Sequence, residues 1–91
     1  MNVHHDVAGH RFVIRLPAGE AVLNYALEGA GVVDFYSTYV PPAERGRGMA
    51  ARLVRAAVTH AREAELRIVP SCWYVRRWLD AHPEEQDLLA R

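Results

Sequence analysis

Lysine is missing from this chain, so all eleven basic residues are arginine, set against eleven Asp and Glu. The formal net charge is therefore zero at neutral pH. A balanced chain has no global attraction for a nucleic acid backbone or an anionic membrane, which argues against either as a partner. Cysteine occurs once, at Cys72. A single thiol excludes an internal disulfide and a cysteine-rich zinc site, and fits a reduced intracellular setting. No apolar stretch is long enough to span a bilayer, and Met1-Asn2-Val3-His4-His5-Asp6 lacks the apolar run of a signal peptide. A cytoplasmic location is the expectation.

What the chain does have is apolar content: 51% of its 91 residues are hydrophobic and 24% charged. That is the profile of an ordinary globular protein, far from that of a disordered one. A domain this small hides only about two thirds of its unfolded surface. One domain over residues 1–91 is expected, as a monomer or a homodimer.

Residues 11–16 alternate, with Phe12, Ile14 and Leu16 on one side, and residues 20–27 repeat the pattern with Ala21, Leu23, Tyr25 and Leu27. Turn chemistry follows each, in Pro17-Ala18-Gly19 and Glu28-Gly29-Ala30-Gly31. A β-branched and aromatic run over 32–40 completes an antiparallel meander of three strands, stopped by Pro41 and Pro42. From 48 to 64 the period becomes helical. Met49, Leu53, Ala57, Ala61 and Ala64 share one face, while Arg52, Arg55, Thr59 and Arg62 form a solvated one. A short strand at 67–70 and a helix at 73–80, ended by His82-Pro83, follow. The order β-β-β-α-β-α predicts an α/β fold with a mixed sheet of the α+β type, an antiparallel meander followed by α-β-α.

Where the chain turns from strand to helix it reads Arg45-Gly46-Arg47-Gly48-Met49-Ala50. Glycines let a backbone approach a ligand, and the free N–H groups at a helix start attract an anion. A phosphate ligand suits such a loop, and a merely flexible turn fits it too. No Gly-Lys-Ser/Thr follows and Gly-x-Gly-x-x-Gly is incomplete, which disfavours a P-loop NTPase or a Rossmann dinucleotide site.

Val40-Pro41-Pro42 followed by Arg45-x-x-Gly48-x-Ala50 at a helix start resembles the Arg/Gln-x-x-Gly-x-Gly/Ala motif of GCN5-related N-acetyltransferases. The chain from 12 to 89 also resembles the very small acetyltransferase family with a Cys-x-Tyr/Phe segment, here Cys72-Trp73-Tyr74, and a following His82-Pro83. The resemblance implies a minimal fold of that class and transfer of an acetyl group from acetyl-coenzyme A to a primary amine, either a protein lysine or a small molecule. It implies that the amides of Arg45, Gly46, Arg47, Gly48, Met49 and Ala50 hold the coenzyme pyrophosphate and that Tyr39 and Val40 bond the pantetheine arm. It further implies that Tyr74 protonates the departing thiolate. Larger relatives wall the acceptor site with extra N-terminal helices, so an open acceptor site is expected here. Small members often carry His-Thr-x-Val where this chain has Ser37-Thr38-Tyr39-Val40, so the histidine that would serve as base is replaced. That replacement motivates the alternative of a coenzyme A or acyl-coenzyme A binding module with little catalysis.

Cys72 is a candidate for chemistry because Ser71, as N-cap, would set its thiol in the first helical turn, where the dipole favours thiolate. A covalent acetyl-enzyme, a polarising thiol and a small buried hydrophobe all fit. Tyr74 fits core packing beside Trp73, Val75, Trp78 and Leu79 as well as it fits proton donation. His4 and His5 read as a mobile terminus rather than a metal site, and His60 and His82 as structural residues, with no metal constellation in the chain.

Overall fold

The computed structural model describes residues 2–90; Met1 and Arg91, the two ends of the expected 1–91 domain, lie outside the described residues. The elements are β1 (His4–Asp6), β2 (Arg11–Leu16), β3 (Gly19–Leu27), β4 (Val32–Tyr39), α1 (Met49–Glu63), β5 (Arg67–Val69) and α2 (Trp73–Asp80). 3-10 segments at Pro42–Glu44 and Pro83–Leu88 complete them. The five strands form one mixed sheet in the order β1-β2-β3-β4-β5, antiparallel throughout except for the parallel β4–β5 pair. This is the expected α/β class of α+β type, with a fourth strand added to the meander.

Alternation decides which face of the sheet is covered. Phe12 and Ile14 of β2, Ala21, Leu23 and Tyr25 of β3, and Val33 and Phe35 of β4 are all buried in one core. They pack against Leu53, Val54, Ala57, Val58 and Ala61 of α1 and Val75 and Leu79 of α2. Both helices therefore cover the same face. The other face carries ion pairs, Arg11 Nε to Asp6 Oδ2 at 3.1 Å, and Arg11 and Arg15 to Glu20 at 3.4 and 3.7 Å. An antiparallel sheet tolerates water on one side in this way.

Two expectations need correction. His4 and His5 are not a mobile terminus but part of β1. The register pairs His5 with Phe12, the two rings stack at 4.2 Å, and His5 Nε2 lies 2.7 Å from the Tyr25 hydroxyl. A hydrogen-bonded, stacked imidazole supplies the docking energy that the polar segment His4-His5-Asp6 hides from a hydropathy reading. Ala64 is an exposed C-cap rather than part of the buried face, because α1 ends at Glu63. The arginine face of α1 is exposed as expected, and it carries contacts besides: Arg62 is clamped by Glu85 at 2.9 Å and Asp87 at 2.8 Å, and Arg55 lies 4.8 Å over the Trp78 ring. The 3-10 turn that supplies those carboxylates has no apolar period to announce it.

Burial first, then the neighbouring His60 and His4, hold the His5 imidazole below its ordinary value of 6.5, against an opposing pull from Asp6. A depressed folded-state pKa means that the unfolded chain binds the proton first as pH falls. The stability from neutral His5 is therefore full above pH 6.5 and declines as pH drops below it. Urea midpoints measured from pH 7.5 down to 5 should fall for the native chain and fall less for His5→Leu, which keeps an apolar contact with Phe12 but cannot titrate.

Candidate functional site

β4 has a partner on each side over only part of its length. Val32, Val33 and Asp34 pair with Arg67, Ile68 and Val69 of β5, and the Cys72 amide adds one more bond to the Phe35 carbonyl at 2.9 Å. Beyond Phe35, β4 runs on to Tyr39 beside β3 alone. The β3 register also slips there: Tyr25 faces Phe35 and Asn24 faces Ser37, leaving Tyr36 as the extra residue of a bulge. Bulges bend a strand and re-aim its side chains. The opening between β4 and α2 is a cleft of about 540 Å³ lined by Thr38, Tyr39, Val40, Glu44, Arg45, Gly46, Gly48, Met49, Ala50, Trp73 and Tyr74.

The loop forms one wall. Gly46 and Gly48 have φ of 82° and 78°, and a Cβ built on either meets nothing within 4 Å. Backbone conformation, not crowding, thus demands glycine at both positions. Gly48 is the N-cap of the fifteen-residue α1, no side chain caps it, and its carbonyl accepts the Arg52 amide at 3.1 Å. The first-turn N–H groups that precede Arg52 have no acceptor within the helix. They sit at the positive end of the dipole beside the cleft, which is the arrangement an anion requires.

Two arginines frame that wall differently. Arg45 donates from Nε to the Val40 carbonyl at 2.8 Å and lies 5.8 Å over the Tyr39 ring, so it ties the end of β4 to the loop. Arg47 turns outward and reaches Glu44 at 3.7 Å. Glu44 is 7% exposed, a buried carboxylate that lines the cleft and that its setting, Pro42-Ala43-Glu44, gave no means of anticipating.

α2 forms the opposite wall. Ser71 is not its N-cap: the Ser71 hydroxyl and amide donate to Asp34 at 2.9 and 3.3 Å, and Cys72 occupies the cap position itself. The thiol is 6% exposed and lies 3.5 Å from the Thr38 hydroxyl, so it stands behind the cleft with Thr38 in front. Burial pushes the Cys72 thiol up, but the Thr38 hydroxyl and the amides of Val75, Tyr74 and Thr38 outweigh it, and the net direction is below the ordinary 9.0. Of the residues singled out in the sequence, the cleft brings together Tyr39, Val40, Arg45, Gly46, Gly48, Met49, Ala50 and Tyr74, and leaves Arg47 and Cys72 outside its lining. Thr38, Glu44 and the 70%-exposed Trp73 join the site without having been given a role in it. The place of Trp73 between Cys72 and Tyr74 was the one available sign.

Among the described residues, no group of three or more His, Cys, Asp or Glu is placed to hold a metal ion, and no helix is long and apolar enough to cross a membrane.

The family model described as GCN5-related N-acetyl-transferase matches residues 11–88. Protein NATD1 of Bos taurus is 38% identical over 90 residues, covering 97% of this chain and 80% of its own. Protein NATD1 of Gallus gallus and of Homo sapiens are each 37% identical over 90 residues, covering 97% of this chain and 82% and 80% of theirs. In structure, the chain is similar to a GCN5-like protein from Staphylococcus aureus solved by NMR, with a TM-score of 0.72 and 22% identity over 98% of this chain and 87% of that one. At that identity the likeness speaks for the fold alone.

Two substitutions probe the walls. Gly48→Ala forces a Cβ onto a left-handed backbone and should lower the stability read by urea unfolding by about 1 kcal/mol. Thr38→Val removes the hydroxyl beside Cys72 and leaves burial less opposed. The pH midpoint of Cys72 alkylation by iodoacetamide should then move up.

Proposed function

The chain belongs to the GCN5-related N-acetyltransferase family, and from that premise we propose that it transfers an acetyl group from acetyl-coenzyme A to a primary amine of a protein lysine or a small molecule. The observation that carries this reading is the uncapped start of α1, with glycines at positive φ, opening on a cleft that also takes in the end of β4 and Tyr74. Pyrophosphate fits the loop because Gly46 and Gly48 leave backbone amides uncovered and the helix dipole favours its charge. The pantetheine arm fits along Tyr39 and Val40, where β4 has no second strand beside it.

When bound, acetyl-coenzyme A supplies the activated acyl carbon. In this proposal Tyr74, which lines the cleft at the start of α2, donates its phenolic proton to the departing sulfur. Thr38 holds the acyl end, and Cys72, hydrogen-bonded behind it, polarises that hydroxyl rather than accepting the acetyl group itself. Trp73 and Tyr39, 70% and 49% exposed, leave the rim open, which suits a flexible acceptor such as a lysine side chain presented from the cytoplasm.

A thiol-release assay over a panel of amines and lysine peptides tests the reading. Turnover is expected, and Tyr74→Phe should lower kcat by about 10² with KM little changed. Coenzyme binding without thiol release for any amine would instead favour a binding module. Amide shifts on adding coenzyme A that fall elsewhere than on residues 46–50 would overturn the placement of the pyrophosphate.

A further inference from the structure

The two sides of α2 differ sharply. Val75, Trp78 and Leu79 are buried, whereas Trp73, Arg76, Arg77 and Asp80 are exposed. The exposed four are spaced i, i+3, i+4 and i+7, which sets them in one stripe along the outer side of the helix. Trp73 begins that stripe at the lip of the cleft it helps to line, so the stripe leads directly away from the candidate site. With a rise of about 1.5 Å per residue, Arg76 and Arg77 stand roughly 5 and 6 Å along the helix from Trp73.

Two features of the stripe have no use inside the molecule. Trp73, at 70%, is more exposed than any other large apolar side chain among the described residues. Its ring meets that of Tyr74 at 5.8 Å with 83° between the planes, which steadies one edge and leaves the remainder to solvent. Tryptophan is among the residue types that most often anchor a protein interface. The arginines are set apart as well. Every other arginine among the described residues has a partner, whether a carboxylate, as Arg62 has, or a main-chain carbonyl, as Arg45 and Arg67 have. Among those residues, Arg76 and Arg77 alone keep guanidinium groups with neither beside them. A cation in the last turn favours the helix dipole, which accounts for Arg77 but for neither Arg76 nor Trp73.

An exposed ring beside two unpaired guanidinium groups suits a polypeptide that brings carboxylates. A nucleic acid needs phosphate contacts along a longer track, and Asp80 closes the positive stripe after a single turn. A second copy of this chain would present the same two cations to themselves. We propose that Trp73, Arg76 and Arg77 dock the acceptor, a polypeptide whose lysine enters the cleft past Trp73 while acidic residues about two positions away lie on the two guanidinium groups. The inference rests on the reading of the cleft as the site of acetyl transfer. It makes acidic flanks a determinant of which lysine is modified, and it makes free small amines the poorer acceptors.

Thiol release from two peptides that share one lysine provides the test, one with aspartate two positions to either side and one with serine there. The native chain is expected to show a KM about fivefold lower for the acidic peptide, as two exposed ion pairs imply, with kcat unchanged. At about 0.5 M salt the difference should shrink, because exposed pairs are screened. The double variant Arg76→Gln/Arg77→Gln should lose the preference and keep the native KM and kcat for the serine peptide, which also shows that it is folded. Its affinity for coenzyme A should be that of the native chain. Binding of the acidic peptide should shift the Trp73 indole resonance and leave that of Trp78 in place. Equal KM for the two peptides, or a preference that survives the double variant, would overturn the inference while leaving the acetyl-transfer reading intact. Loss of coenzyme affinity in the double variant would overturn it too, by assigning the pair to the coenzyme. Were thiol release absent for every peptide, the acetyl-transfer reading would fall, and the Trp73 shift would by itself decide the docking surface.

Discussion

The parting of β4 from β5 is the constraint on which the rest of the site depends. A strand with hydrogen-bonded neighbours on both sides leaves no room for a ligand, and a strand at a free edge invites pairing with another chain. β4 does neither along its second half. The Asp34–Val69 pair and the Phe35–Cys72 hydrogen bond hold its first half firmly, after which the bulge at Tyr36 and the turn into α2 draw the two apart. The loop, Thr38, Tyr39 and Tyr74 face one another only because this gap exists.

The zero net charge conceals a division of labour among the arginines. Arg11 and Arg15 are tied to carboxylates on the open sheet face, and Arg62 to those of the turn after α2. These pairs steady the sheet and the C-terminal segment. Arg45 by contrast has a carbonyl and an aromatic ring for neighbours, neither of which cancels its charge. The cleft lining thus pairs the charge of Arg45 with the buried carboxylate of Glu44, and the dipole at the start of α1 adds to the positive side.

Much of the architecture could be read from period and punctuation. The alternation in 11–16 and 20–27, the prolines at 41 and 42, and the helical spacing from Met49 to Ala61 each have one dominant local cause, and the elements fall within a residue or so of where those causes put them. The loop was legible for the same reason, since glycine at a strand-to-helix junction is a local signal. What escaped was non-local. β1 is held by a stack and a hydrogen bond to residues on other strands, Ser71 is drawn away from its capping role by Asp34 across the sheet, and Glu44 is buried by neighbours that no local pattern names. The position of Cys72 behind Thr38 is likewise a matter of which face of β4 follows the bulge.

The order of strands also dictates an order of assembly. Each antiparallel neighbour in the meander follows its partner through a short turn, so β1 to β4 can zip with little loss of chain entropy. The parallel pairing of β4 with β5 must wait until the chain has travelled the whole of α1 and returned. The cleft is thereby made a property of the last contacts to form. Because those contacts close the core as well, a ligand that bound only the completed molecule would act as a final brace on it.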